Sequence, residues 1–178
     1  MAGTFSEVKV ATAILDYRLD WSAWLPSLDT ISSATWTVTG ATKVSESNTT
    51  TTASVRVSGG SAGSAATAKC TITTASGLIE VRSIELRIVA VLEAKAIEKA
   101  PGSTMAIPAP TWDDLGGDTI SSYSWTSATG LTIASGASSA TVIISGGTVG
   151  MDYALTCAIV TAAGQEDSRV ITIQVRER

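Results

Sequence analysis

The sequence predicts an all-β chain of two tandem antiparallel β-sandwich domains, and three observations predict it. A block of residues recurs once along the 178-residue chain, both copies contain stretches of strictly alternating apolar and polar residues, and glycine pairs stand where such stretches must be joined. Asp29-Thr30-Ile31-Ser32-Ser33 followed by Trp36 returns as Asp118-Thr119-Ile120-Ser121-Ser122 followed by Trp125, an offset of 89 residues. Val55, Val57, Ser58, Gly59, Gly60 and Gly63 return as Val142, Ile144, Ser145, Gly146, Gly147 and Gly150 at an offset of 87. The same offset carries Cys70, Ile72, Gly77, Arg82, Ile84, Leu86 and Ile88 onto Cys157, Ile159, Gly164, Arg169, Ile171, Ile173 and Val175. Anchors in one order with one small gap mark a tandem duplication. Copy one is residues 1–93 and copy two residues 98–178, joined by Glu93-Ala94-Lys95-Ala96-Ile97-Glu98-Lys99-Ala100-Pro101, where charge density rises before a Pro-Gly turn signal.

Within copy one, Ser54–Ser58, Lys69–Thr73 and Ser83–Ile88 alternate with period two, which marks strands with one buried face and one wet face. Copy two repeats the pattern with Val142 and Ile144, with Leu155, Cys157 and Ile159, and with Ile171, Ile173 and Val175 facing inward. Gly59-Gly60 and Gly146-Gly147 supply turns with positive φ between strands, and Ser76-Gly77 and Ala163-Gly164 do so before the last strand. The stretch Ile84–Ala100 also fits a helical spacing, through Leu86, Val89, Leu92, Ala96 and Lys99. Its counterpart Val170–Val175 is β-branched and alternating, so a strand running to about Val91 is expected there, with a helical turn in the join.

Trp36 and Trp125 are expected on an early central strand and Cys70 and Cys157 on a late one, as core residues. An immunoglobulin domain likewise sets a tryptophan against the cysteine position of a facing sheet, so the predicted sandwiches are immunoglobulin-like. Because the cysteines occupy the same place in different copies, each is expected as a buried free thiol rather than half of a disulfide.

Composition narrows the chemistry. The chain has no histidine, which removes the side chain most used for acid–base work near neutral pH and for transition-metal ligation, and no catalytic, cofactor or metal site is expected. The formal net charge of −4 offers no cationic field to a phosphate backbone, so nucleic acid is not an expected partner. No segment reaches the ~18 apolar residues of a membrane span, and the start MAGTFSEVKV reads as neither a signal peptide nor an anchor, pointing to synthesis in the cytoplasm.

Four segments invite a functional reading and each has a plainer one. Trp112-Asp113-Asp114-Leu115-Gly116-Gly117-Asp118 is acidic but lacks the spacing of a calcium loop and reads as a polar turn before a strand. Asp16 and Asp20 flank Arg18 on one face of a strand, which suits a solvated charge stripe better than paired catalytic carboxylates. Ser58-Gly59-Gly60-Ser61-Ala62-Gly63 has the glycines of an anion loop without the helix and lysine that make one grip phosphate. Trp21, Trp24 and Trp112 are candidate partner contacts, as a sugar platform or a protein hot spot, with core packing as the alternative. Outward strand positions are largely Ser, Thr and Ala, a weakly charged exterior that suits a subunit packing against neighbours.

The run Ala13-Ile14-Leu15-Asp16-Tyr17-Arg18-Leu19-Asp20-Trp21-Ser22-Ala23-Trp24-Leu25, followed by Asp29-Thr30-Ile31 and Trp36-Thr37-Val38, resembles the fibre–tail adaptor proteins of tailed bacteriophages. The resemblance continues through Ala53-Ser54-Val55 and Ser58-Gly59-Gly60 to the last strand begun by Arg82, and resumes in copy two from Asp118 through Ser145–Tyr153 to Arg169-Val170-Ile171. It implies a structural, non-enzymatic virion protein of the tail or neck, present in several copies or as a homo-oligomeric ring around the tail axis. Its implied partners are other tail or neck proteins and the tail fibre. Copy two lacks the Asp-Tyr-x-x-Asp-Trp opening, and copy one has Ala66 where copy two has Tyr153, a tyrosine placed to tie a loop through its hydroxyl. The rival reading is a capsid decoration or surface-display module that binds the virion shell or host glycans.

Overall fold

The computed structural model describes residues 4–113 and 115–177, and every regular element among them is a β-strand. The chain divides between Ala90 and Val91 into two compact units, each with its own hydrophobic core.

Domain 1 contains β1 (Thr4–Val10), β2 (Ile14–Asp20), β3 (Ile31–Thr39), β4 (Thr42–Asn48), β5 (Thr52–Ser58), β6 (Ala65–Thr74) and β7 (Ile79–Val89). They form one sheet in the order β1-β7-β6-β3 and another in the order β2-β5-β4. Domain 2 repeats the plan with β8 (Leu92–Lys99), β9 (Met105–Pro108), β10 (Ile120–Ser127), β11 (Leu131–Ser135), β12 (Thr141–Gly146), β13 (Asp152–Thr161) and β14 (Glu166–Val175). Its sheets run β8-β14-β13-β10 and β9-β12-β11. In each domain the first strand lies parallel to the last while the other pairs are antiparallel. This is the immunoglobulin-like sandwich of two short antiparallel sheets, with the opening strand moved onto the sheet that carries the last one.

Alternation produces the cores. Val55, Val57, Cys70, Ile72, Ile84, Leu86 and Ile88 point inward in domain 1, and Val142, Ile144, Leu155, Cys157, Ile159, Ile171, Ile173 and Val175 in domain 2, all buried. The segment expected as a join is instead β8, in register with β14 from Arg169 to Val175 except for a bulge near Ala94. No helical turn forms in Leu92–Lys99, because pairing with a β-branched neighbour outweighs the helical preference of Ala, Glu and Lys.

The tryptophans also sit differently from expectation. Trp36 lies directly opposite Cys70 on the adjacent strand of the same sheet, and Trp125 opposite Cys157, so each pair packs side by side and not across the core from facing sheets. Both β3 and β10 end their sheets and are not central. All four side chains are nonetheless buried, and both cysteines are free thiols. The exposed main-chain groups of these edge tryptophans are covered locally. The Trp36 N–H donates to Glu46 Oε2 at 2.8 Å, the Trp36 carbonyl accepts from Lys43 Nζ at 2.9 Å, and Lys43 and Glu46 pair with each other at 2.9 Å. In domain 2 the Trp125 N–H donates to the Ala137 carbonyl at 3.0 Å and its indole N–H to the Ser139 carbonyl at 2.8 Å. Trp125→Ala removes a buried indole of ~200 Å² and is expected to cost about 3–5 kcal/mol in a denaturant titration, chiefly in the transition of domain 2.

Candidate interaction surface

The ends of the sandwiches carry the polar construction of the molecule. At one end of domain 1, Arg82 on β7 lays its guanidinium 4.0 Å from the Trp21 ring centre and donates to the Asp20 carbonyl at 2.8 Å. Domain 2 does the same with Arg169 on β14, 5.3 Å from the Trp112 ring and 2.7 Å from the Thr111 carbonyl. In both, an arginine clamps the carbonyl preceding a tryptophan and stacks on that tryptophan, tying the loop before β3 or β10 to the last strand. Trp21 and Trp112 are therefore counterparts at an offset of 91, which the 89-residue alignment of the flanking block hides. The paired arginines Arg82 and Arg169 were the available signal.

This arrangement corrects one expectation. Trp21 is fully buried and is no exposed platform, because its faces are occupied by Arg82 and by the edge of Trp24, 6.0 Å away and inclined at 76°. Trp24 is half-buried against the core of domain 1. Trp112, half-buried in domain 2, donates its indole N–H to Asp167 at 3.1 Å. The three tryptophans do not gather into one aromatic surface within either domain.

A second tie lies beside the first. The Asp29 carboxylate accepts from the Thr30 N–H at 2.9 Å, from the Ser76 N–H at 3.2 Å and from the Ser76 hydroxyl at 2.6 Å, joining the loop before β3 to the turn before β7. The hydrogen bonds, that of Ser76 foremost, hold its carboxyl down to about 2. Asp118 accepts from the Thr119 and Ala163 N–H groups and from the Gln165 side chain, and hydrogen bonding, with Thr161 first, lowers its carboxyl as well. The acidic segment of copy two is thus partly spent on a turn. Asp113 is exposed, Asp114 lies outside the described residues, and among the described residues no three His, Cys, Asp or Glu side chains stand close enough to hold a metal. Asp16 makes a two-pronged pair with Arg56 across β2 and β5, at 2.8 and 2.7 Å, while Asp20 accepts from the Ser22 N–H, which lowers its carboxyl.

The opposite end is closed by a device the sequence analysis missed. Lys9 and Lys99 are buried, 0% and 1% exposed, near the ends of β1 and β8. Lys9 Nζ donates to the Gly59 carbonyl at 2.9 Å and the Val10 carbonyl at 3.0 Å. Lys99 Nζ donates to the Gly146 carbonyl at 2.8 Å and the Ala100 carbonyl at 3.1 Å. Each ammonium stitches the first strand to the Gly-Gly turn that follows β5 or β12, in the loop that superficially resembles an anion site. Gly60 and Gly147 have positive φ, and a Cβ would stand 3.0 Å from Ile88 in the first and 2.6 Å from Val175 in the second. Tyr153 secures the next loop by accepting the Thr148 N–H at 2.9 Å, a bond Ala66 cannot make in domain 1.

What remains exposed differs between the domains. Domain 1 carries seven basic and seven acidic residues, whereas domain 2 carries five and nine, so the whole net charge belongs to domain 2. Among the exposed large apolar side chains, Leu28 is 100% accessible, Ile79 65% and Leu78 44%. Among the described residues, Leu28 is also the non-glycine residue with positive φ, 69°, in a turn closed by the Asp29 N–H on the Pro26 carbonyl at 3.0 Å. That position favours glycine or asparagine, and holding leucine there costs roughly 1–2 kcal/mol. Domain 2 places Gly117 there, and Gln165 and Glu166 where domain 1 has Leu78 and Ile79.

With both sandwiches, their matched ties and their unlike ends described, the comparison with known families falls on the same two domains. The profile of the podophage GP4 fiber-tail adaptor protein gp77 family matches residues 9–87 and 99–174. The chain belongs to that family. No curated protein matches the chain. Solved structures similar to this chain include titin domains Z1Z2 in complex with telethonin, at 11% identity and a TM-score of 0.34, covering 97% of this chain and 93% of that one. The tandem Ig repeats of Dlar align at 13% identity and a TM-score of 0.35, covering 100% of this chain and 96% of theirs. The fold itself rests on strand order and register. Burial pushes the Cys70 and Cys157 thiols up to about 12, so neither is a nucleophile near neutral pH.

The folded Asp29 carboxyl, at about 2 against an ordinary 3.8, contributes stability that is complete above about pH 4 and is lost as pH falls toward 2. Thermal melts of Asp29→Asn between pH 7 and 2 should therefore start lower and fall less steeply below pH 4 than those of the parent. Lys99→Met leaves the Gly146 carbonyl without its donor and is expected to cost about 1–3 kcal/mol by chemical denaturation.

Proposed function

We propose that the protein bridges two components of a tailed-phage virion, one sandwich docking on the tail or neck and the other presenting a face to the fibre. The observation that carries this reading is that the fibre–tail adaptor family matches both domains while their outer surfaces diverge. Domain 1 is neutral and exposes Leu28, Leu78 and Ile79 at one end, where domain 2, which bears the full net charge of −4, has Gly117, Gln165 and Glu166. Separate cores support independent docking, and two weak attachments joined in one chain reinforce each other through effective concentration. Several copies ringing the tail axis as a homo-oligomer multiply that gain, and assembly follows synthesis in the host cytoplasm.

The work is attachment and not turnover. The carboxylates nearest to a site are tied into turns and strand pairs, and the thiols are buried. The glycan-binding form of the alternative turns on Trp24, which is half-buried against the core of domain 1 beside Trp21. The test removes residues 91–178 and follows both attachments, by cosedimentation with fibreless tails and with isolated fibres. The shortened chain is expected to keep one attachment and lose the other; retention of both, or turnover of any substrate by the intact chain, would count against bridging.

A further inference from the structure

We infer that the end of domain 1 formed by the β2–β3 loop and the β6–β7 turn is a docking tip, whose occupant is an uncharged apolar recess on another protein of the particle. The inference rests on the bridging role above and assigns one of its two contacts to named residues. Leu28, Leu78 and Ile79 are brought to one end because Asp29 binds Ser76 and the Ala75 N–H donates to the Thr30 carbonyl at 2.8 Å. Together they expose an apolar area on the order of a few hundred Å², the scale at which such patches mark interaction sites. They lie at the start of β7, while the chain leaves domain 1 past the other end of that strand.

Strain separates this patch from chance exposure. A fully exposed leucine in a left-handed turn position gives the fold nothing, and domain 2 fills the same position with Gly117. An unfavourable conformation that presents a side chain wholly to solvent points to a contact outside the domain.

The chemistry of the tip selects the occupant. Residues 21–28 and 75–79 contain no ionisable side chain; the charges bordering them are Asp20, Asp29, Glu80 and Arg82, whose guanidinium lies on the Trp21 ring and donates to the Asp20 carbonyl. An anionic bilayer or a nucleic acid calls for a cluster of Lys and Arg; the arginine at this end, Arg82, is taken up by Trp21 and the Asp20 carbonyl, and three carboxylates border the tip. The protruding side chains are aliphatic, unlike the aromatic faces that stack on sugars. A projecting tip needs a concave partner, and the cleft of domain 2 bounded by Glu93, Lys95 and Arg169 has charged walls that do not suit it in a second copy. An apolar pocket on a different virion protein fits the shape and the charge.

The test uses the full chain, with virion particles assembled without it as the probe. Leu28→Gly, and Leu78→Gln with Ile79→Glu, substitute the residues of domain 2 at the corresponding places. Incorporation of either variant into the particles is expected to fall about tenfold or more, with a melting temperature for Leu28→Gly equal to or above that of the parent. Incorporation of the parent should change little between low and high salt. Parental incorporation of both variants overturns the tip while leaving the adaptor reading intact, whereas failure of the parent to incorporate overturns both. Binding of the parent to phosphatidylethanolamine–phosphatidylglycerol vesicles that Leu28→Gly abolishes would reassign the tip to a membrane. Self-association lost in the same variant would reassign it to a second copy. Either of these two results overturns the proposal.

Discussion

Each sandwich must hold two sheets together without a covalent bridge, and that constraint organises the rest. The middle is held by apolar packing, with a tryptophan laid beside a cysteine on neighbouring strands and the opposite sheet supplying Val55 and Val57 or Val142 and Ile144. Packing is non-directional and does little to fix where loops go. The directional work is left to the ends, where Lys9 and Lys99 anchor the first strand at one end and the Arg82–Trp21 and Arg169–Trp112 ties close the other. Burying an ammonium is costly unless its protons meet good acceptors. The acceptors are backbone carbonyls at the strand ends and turns, Gly59 and Val10 for Lys9, Gly146 and Ala100 for Lys99.

The parts that were legible in the sequence are those written in side-chain period. Strands β5 to β7 and β12 to β14 alternate so regularly that the inward sets could be named residue by residue, and the duplication supplied a second reading of each. Strand β8 was not legible, because Ala, Glu and Lys speak for a helix and the deciding partner, β14, lies about 75 residues further along the chain. Lys9 and Lys99 were invisible for a different reason. Lysine is read as a surface residue, and nothing local reveals that a distant glycine carbonyl waits for it. For Trp21 the sequence left partner contact and core packing open, and Arg82, sixty-one positions later, decides for burial.

Duplication left the two copies free to diverge where the core does not forbid it. The ties at both ends are repeated with different neighbours: Ser76 serves Asp29, whereas Ala163 and Gln165 serve Asp118. Tyr153 steadies a loop that domain 1 arranges without it, and the edge of β3 is covered by the side chains of Lys43 and Glu46 where β10 uses a main-chain carbonyl. What the two copies share is thus the scaffold, and what differs between them lies in the loops and edges.

The free thiols have a consequence for a protein of this family. A phage tail is built inside a reducing cell and then persists in an oxidising medium. A sandwich whose sheets were joined through sulfur would change its cross-linking on that passage, and an exposed thiolate would invite mixed disulfides. Cys70 and Cys157, sealed in separate cores and almost wholly protonated, leave the fold indifferent to which side of the cell wall it occupies.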